Sequence, residues 1–312
     1  MSSLTTEELH TRLRSAWLAQ AKAHPLVTLG LLAALLVMAG LLLASVLSNL
    51  QNGGEYRVGL ALAGGSAGFG ATALGALLAL ALQSRISERA TDAMLGFAAG
   101  MMLAAASFSL ILPALAAGSE LTGSKVLGAA AVVIGLGLGV LLMLGLDYFT
   151  PHEHDSTGPC GPDWQRMNRV WLFVMAITLH NLPEGMAIGV SFAQGDMKVG
   201  LPVAAAISIQ DIPEGLAVAL ALRAIGLSAL SSVLVAMFSG LMEPIGALFG
   251  LGLSSGLAIA YPVSLGLAAG AMIFVVSHEV IPETHRNGHQ TVASLGLMVG
   301  FGLMMFLDTA LG

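Results

Sequence analysis

The chain has 312 residues, 56% of them hydrophobic and 10% charged, with a formal net charge of −6 and a mean hydropathy of +0.86. Soluble domains carry about 25% charged residues, so this composition excludes an ordinary soluble domain, and with no basic stripe it also excludes a surface that tracks a phosphate backbone. The hydrophobicity comes from Leu, Ala, Val, Met and 39 glycines rather than from strands that alternate apolar and polar residues, which indicates an all-α integral membrane protein packed through small residues.

In chain order, residues 1–24 form a cytoplasmic N-terminal segment carrying Glu7, Glu8, Arg12, Arg14 and Lys22. It reads as a short amphipathic helix or as a solvated leader that only sets topology. The apolar run 25–47 is longer than the roughly 7–15 residues of a signal-peptide core and reads as a retained first span. A spanning helix needs about 20 mostly apolar residues. Cutting the chain at its polar and Gly/Pro-rich breaks gives nine spans near residues 25–47, 58–82, 93–117, 126–147, 169–193, 199–222, 226–252, 257–282 and 291–310.

Cytoplasmic loops are enriched in Lys and Arg. With the N-terminus inside, Arg12, Arg14, Lys22, Arg85, Arg89, Arg166, Arg169, Arg223 and Arg286 fall on one side and only Arg57, Lys125 and Lys198 on the other. The C-terminus is therefore expected outside. The longest connection, 148–168, contains PHEHDSTGPCGPD; His152, His154 and Cys160 have the donors for a borderline metal, although a polar linker broken by Pro and Gly is the more frequent explanation. The single Cys160 cannot form an internal disulfide.

Two polar clusters interrupt the fifth and sixth spans. HNLPEG occupies 180–185 and QDIPEG occupies 210–215, each about a dozen residues into its span, so antiparallel neighbours would carry both near the bilayer midplane. Ionisable groups there are expensive and persist when paired or functional. At about 100° per residue, Glu184 projects between His180 and Asn181, and Glu214 projects between Gln210 and Asp211. Facing helices would form two subsites bridged by Glu184 and Glu214. Pro183 and Pro213 remove the N–H groups that would bond the carbonyls of Leu179 and Ile209.

Glu243, in LMEPIG, is mid-span and faces either the same cavity or a neighbouring helix. Met102, in AAGMMLAAAS, lies at matching depth and offers a thioether or plain packing. Asp147, His278, Glu279, Glu283, His285 and His289 gather toward the cytoplasmic ends of the fourth and eighth spans and read as transient ligands leading inward, with a solvated helix end as the alternative for the last three. Asp308 is an entrance candidate at the outer end of the last span. Imidazole, carboxylate and amide donors suit Zn²⁺ and its divalent neighbours.

HNLPEG, QDIPEG and MEP on successive spans resemble the signature of the ZIP (Zrt/Irt-like protein) metal transporters, close to the bacterial members, over residues 58–312. The resemblance implies an eight-helix transport domain with the first span as an addition, and passage of Zn²⁺ and related ions (Cd²⁺, Fe²⁺, Mn²⁺) toward the cytoplasm of a bacterial inner membrane. It implies one metal site from His180, Glu184, Gln210 and Glu214 with Met102 nearby, and a second from Asn181, Glu184, Asp211, Glu214 and Glu243. It also implies a homodimer, and inverted repeats of spans 2–4 and 7–9, although no repeat stands out in the residues themselves. Many eukaryotic relatives have a pattern like HEIPHE where this chain has QDIPEG, which leaves selectivity among these metals open.

An intramembrane metalloprotease would carry HExxH, which does not occur, so no enzymatic activity and no catalytic cofactor are expected. A proton-coupled carrier of a non-metal substrate is the main alternative, since paired intramembrane acids also relay protons. A reporter active only in the cytoplasm should stay dark when fused to the C-terminus; activity there would refute the nine-span orientation.

Overall fold

The computed structural model describes residues 15, 17–49, 55–82, 86–154, 158–160, 169–224 and 226–311. The expected N-terminal segment and the loop 148–168 lie largely outside these, apart from a helical stretch at 17–23 and a small antiparallel hairpin. Its strands are β1 (His152–His154) and β2 (Gly158–Cys160), with His152 opposite Cys160.

Nine long helices occur among the described residues: α1 (Pro25–Asn49), α2 (Glu55–Leu82), α3 (Glu88–Thr122), α4 (Lys125–Phe149), α5 (Arg169–Ser191), α6 (Met197–Ala224), α7 (Ala229–Ser254), α8 (Ala260–Thr284) and α9 (Gln290–Leu311). Eight are long and apolar enough to cross a membrane, and α5, at 23 residues, carries HNLPEG. The starts of α3 and α4 follow capping chemistry. Ser87 accepts from the Ala90 N–H and Ser124 from that of Leu127, which satisfies donors that a helix N-terminus leaves free. That is why α3 begins at residue 88, five positions before its apolar run. Between α3 and α4 the chain reverses through Gly123, whose φ of 65° is a left-handed conformation that glycine adopts without strain.

Lipid tails give helices no hydrophobic reason to associate, so they must pack by close approach. Gly96 and Gly100 of α3 face the carbonyls of Ala293 and Leu297 on α9, while Gly296 and Gly300 of α9 face those of Ala93 and Phe97 on α3. The contact between α4 and α8 has the same construction. Gly135 and Gly139 meet the carbonyls of Val263 and Leu267, and Gly266 and Gly270 meet those of Val132 and Leu136. The other closely packed pairs are α2 with α6 and α5 with α7.

This pattern is unchanged when α2, α3 and α4 are exchanged with α7, α8 and α9, and α5 with α6. Because the exchanged helices are an odd number of spans apart, the two halves run in opposite directions, as in an inverted repeat. Both α3 and α8 also contain a π-helical segment, at Ala105–Ile111 and Val276–Val280, followed closely by Pro113 and Pro282. The residues do carry the repeat after all. AAGMM (98–102) recurs as AAGAM (268–272), and Gly135, Gly139 and Asp147 recur at one constant interval as Gly296, Gly300 and Asp308.

The additional helix α1 lies against α4 and α7, with Gly30 against Leu141 and Gly145 against Leu31. Its other face is apolar and exposed, including Leu26, Leu29 and Leu36. Gly139→Val should destabilise the bundle by roughly 1–3 kcal/mol through overpacking. Gly137→Val should be tolerated, because a Cβ there meets nothing within 4 Å. Thermal unfolding of the two variants in detergent checks the contrast.

Candidate metal centre

The site is assembled by helices that touch backbone to backbone. Gly185 and Gly189 of α5 face the carbonyls of Glu243 and Ala247 on α7, and Gly215 of α6 faces the carbonyl of Thr72 on α2. These close contacts bring the polar middles of four helices together. Both α5 and α6 continue as helices through Pro183 and Pro213, so HNLPEG and QDIPEG remain on helical faces.

Glu184, Asp211 and Glu214 each contribute a carboxylate oxygen, and the three atoms lie within 4.8 Å of one another. Glu184 and Asp211 are buried. Gln210 Nε2 donates to Glu184 Oε1 at 2.6 Å, and Thr72 Oγ1 donates to Glu243 Oε1 at 2.8 Å. Four further buried polar atoms have no hydrogen-bond partner: Asn181 Nδ2, Gln210 Oε1, Asp211 Oδ2 and Glu243 Oε2. Buried polar atoms are normally paired, so such a concentration needs a physical reason.

Charge supplies it. Two unit charges 4.8 Å apart repel by about 3.5 kcal/mol at an effective dielectric near 20, and this site brings several carboxylates together. The Lys and Arg residues of α5 and α6, Arg169, Lys198 and Arg223, stand near the helix ends. A divalent cation bound among the acids would neutralise them and supply a partner for the unsatisfied oxygens. The donor set, mostly oxygen with one imidazole nearby, suits a divalent metal.

His180 stands outside the three-carboxylate group. Its Nδ1 lies 3.2 Å from Glu279 Oε2 on α8, which links the centre to a residue expected further along the inward path. Met102 is fully buried in an apolar cluster that includes Leu179, Ala187 and Met272. His278 Nε2 and Asp147 Oδ2 approach to 3.8 Å, and the His278 ring stacks on Phe274; those two expected pathway residues do meet. Asp308 Oδ1 accepts from Ser109 Oγ at 2.5 Å. Both Ser109 and the His278–Glu279 pair sit on π-helical segments, a geometry frequent at functional sites.

His289 is engaged elsewhere. Its Nδ1 lies 2.7 Å from Asp92 Oδ2, while Asn287 Nδ2 donates to Asp92 Oδ1 at 3.0 Å, so a buried carboxylate on α3 ties down the turn before α9. Sequence reasoning missed Asp92, Thr72 and Ser109. Asp92 sits among polar residues that resemble a solvated helix start, and hydroxyls are common in membrane helices. For His152, His154 and Cys160 only the backbone of the hairpin is described.

A family model, the ZIP zinc transporter, matches residues 150–308. The chain is 67% identical over 300 residues to the zinc transporter ZIPB of Bordetella bronchiseptica, covering 96% of this chain and 97% of that protein. It is 45% identical over 247 residues to the zinc transporter GufA of Myxococcus xanthus, covering 78% of this chain and 95% of that protein. Removing one of the three converging carboxylates, as in Glu184→Ala, should weaken Zn²⁺ or Cd²⁺ binding by the purified protein at least tenfold, measured by titration calorimetry. An unchanged affinity would place the metal elsewhere.

Proposed function

Since the chain belongs to the ZIP zinc transporter family, we propose that it carries Zn²⁺ and related divalent ions, such as Cd²⁺, Fe²⁺ and Mn²⁺, toward the cytoplasm through a binuclear site near the bilayer midplane. The observation that carries this reading is the convergence of Glu184, Asp211 and Glu214 within 4.8 Å, beside the unsatisfied oxygens of Gln210 and Glu243. The names of the relatives, zinc transporters in both cases, support zinc as a cargo.

The arrangement suits passage rather than storage. Transport requires an ion to leave as well as to enter, and carboxylate and amide oxygens hold a borderline metal less firmly than thiolates. Asp308 with Ser109 would receive the ion at one end of the bundle. Glu184, Gln210, Glu214 and His180 would hold it at the first subsite, with Asn181, Asp211 and Glu243 completing the second. Glu279, adjoining His180, and the His278–Asp147 pair would accept it next. The bacterial inner membrane is the setting that the Bordetella relative supports, and the excess of Lys and Arg on one side favours a cytoplasmic N-terminus. The domain division at residues 1–24, 25–47 and 58–312, and a homodimeric assembly, form part of the same reading.

Vesicles containing the protein should accumulate Zn²⁺ or Cd²⁺, and His180→Ala or Glu214→Ala should reduce the initial flux at least tenfold. Asn181→Ala should alter rate or selectivity with a smaller loss. If His180→Ala and Glu214→Ala both match the parent in metal uptake assays, the transport reading fails.

A further inference from the structure

The second subsite depends on Glu243, and nothing on α7 itself explains how its carboxylate is held. The explanation lies across the interface on α2. Thr72 Oγ1 donates to Glu243 Oε1 at 2.8 Å, which occupies one oxygen and leaves Oε2 buried with only the Asp211 carboxylate beside it. Gly68 lies four residues earlier on the same face of α2. A Cβ built there would overlap Glu243 Oε2 and lie 3.1 Å from Asp211 Oδ2. The two unsatisfied carboxylate oxygens of the second subsite thus converge on a place that only a glycine leaves open. Gly240 closes the other side, where an added Cβ would meet Thr72 Cβ at 3.1 Å and Glu243 Oε1 at 3.3 Å.

From this arrangement we infer that Gly68 and Thr72 are positioning residues for the second metal subsite: together they seat Glu243 so that its free oxygen and that of Asp211 present a paired, oxygen-rich edge to a divalent cation. The inference rests on the transport reading above and adds α2 to the elements that determine the site. Neither residue is proposed to touch the ion. A hydrogen bond to one oxygen of a ligating carboxylate fixes which oxygen faces the metal, and losing such an outer partner typically weakens metal affinity by about 10–100-fold.

The test is the number and strength of Cd²⁺ ions bound per chain by the purified full-length protein in detergent, for the parent, Gly68→Ala, Thr72→Val and Thr72→Ser. The parent should bind two ions. Gly68→Ala and Thr72→Val should weaken one of them by roughly 10–100-fold while the other is held at parental affinity, which also shows that the bundle has folded. Thr72→Ser, which keeps the hydroxyl, should bind both as the parent does. The inference is overturned if Gly68→Ala and Thr72→Val bind two ions with parental affinity, or if Thr72→Ser fails as completely as Thr72→Val. A parent that binds a single ion overturns it too while leaving transport intact, whereas a parent that binds none overturns the transport reading itself.

Discussion

Placing carboxylates in the middle of a lipid-embedded bundle is the constraint on which the rest of this structure depends. A charge at the centre of a membrane helix costs about 2.5–3.5 kcal/mol on insertion scales, and mutual repulsion between the acids adds to that. The molecule meets the cost in two ways. Close packing of α2, α5, α6 and α7 keeps the acids away from lipid, and hydrogen bonds from Gln210 and Thr72 satisfy one oxygen each of Glu184 and Glu243. What remains, among the described residues, is a cluster of buried oxygens with no Lys or Arg at mid-helix beside it.

Glycine makes this enclosure possible. A bulkier residue at Gly185, Gly189 or Gly215 would meet a backbone carbonyl of the neighbouring helix, and the acids on α5, α6 and α7 could not approach one another. The same device joins α3 to α9 and α4 to α8, where no acids cluster at mid-depth. The scaffold and the site therefore use one packing rule, and the site differs only in what the ridges between the glycines carry. Large apolar side chains also cover the outer faces, where Leu36, Val126 and Phe306 are exposed, as expected of surfaces solvated by lipid.

Much of this was legible in the residues. Hydropathy located the helices, and the spacing within HNLPEG and QDIPEG placed Glu184 and Glu214 at the centre, because helical periodicity decides which side chains share a face. Other features were hidden for identifiable reasons. Thr72 belongs to the site through a contact with a residue 171 positions away, which no local pattern announces. Asp92 lies among polar residues at the start of α3, a local pattern that gives no sign of its burial against His289 and Asn287. The repeat is faint in the residues because small, abundant ones carry it, and Gly135, Gly139 and Asp147 gain meaning only from the equivalent places of α4 and α9. The start of α3 lies five residues before its apolar run, since the Ser87 cap rather than the edge of that run determines it.

The Ser109–Asp308 and His278–Asp147 contacts, from α3 to α9 and from α8 to α4, are counterparts under the exchange of the two halves. A chain built from one unit and its upside-down copy would begin with identical contacts in its two halves. Here an aspartate stands in both copies, while the residue facing it is a hydroxyl in one and an imidazole in the other. A borderline cation binds an imidazole more firmly than an alcohol. The two contacts therefore differ chemically, although the helices that make them are exchanged with one another.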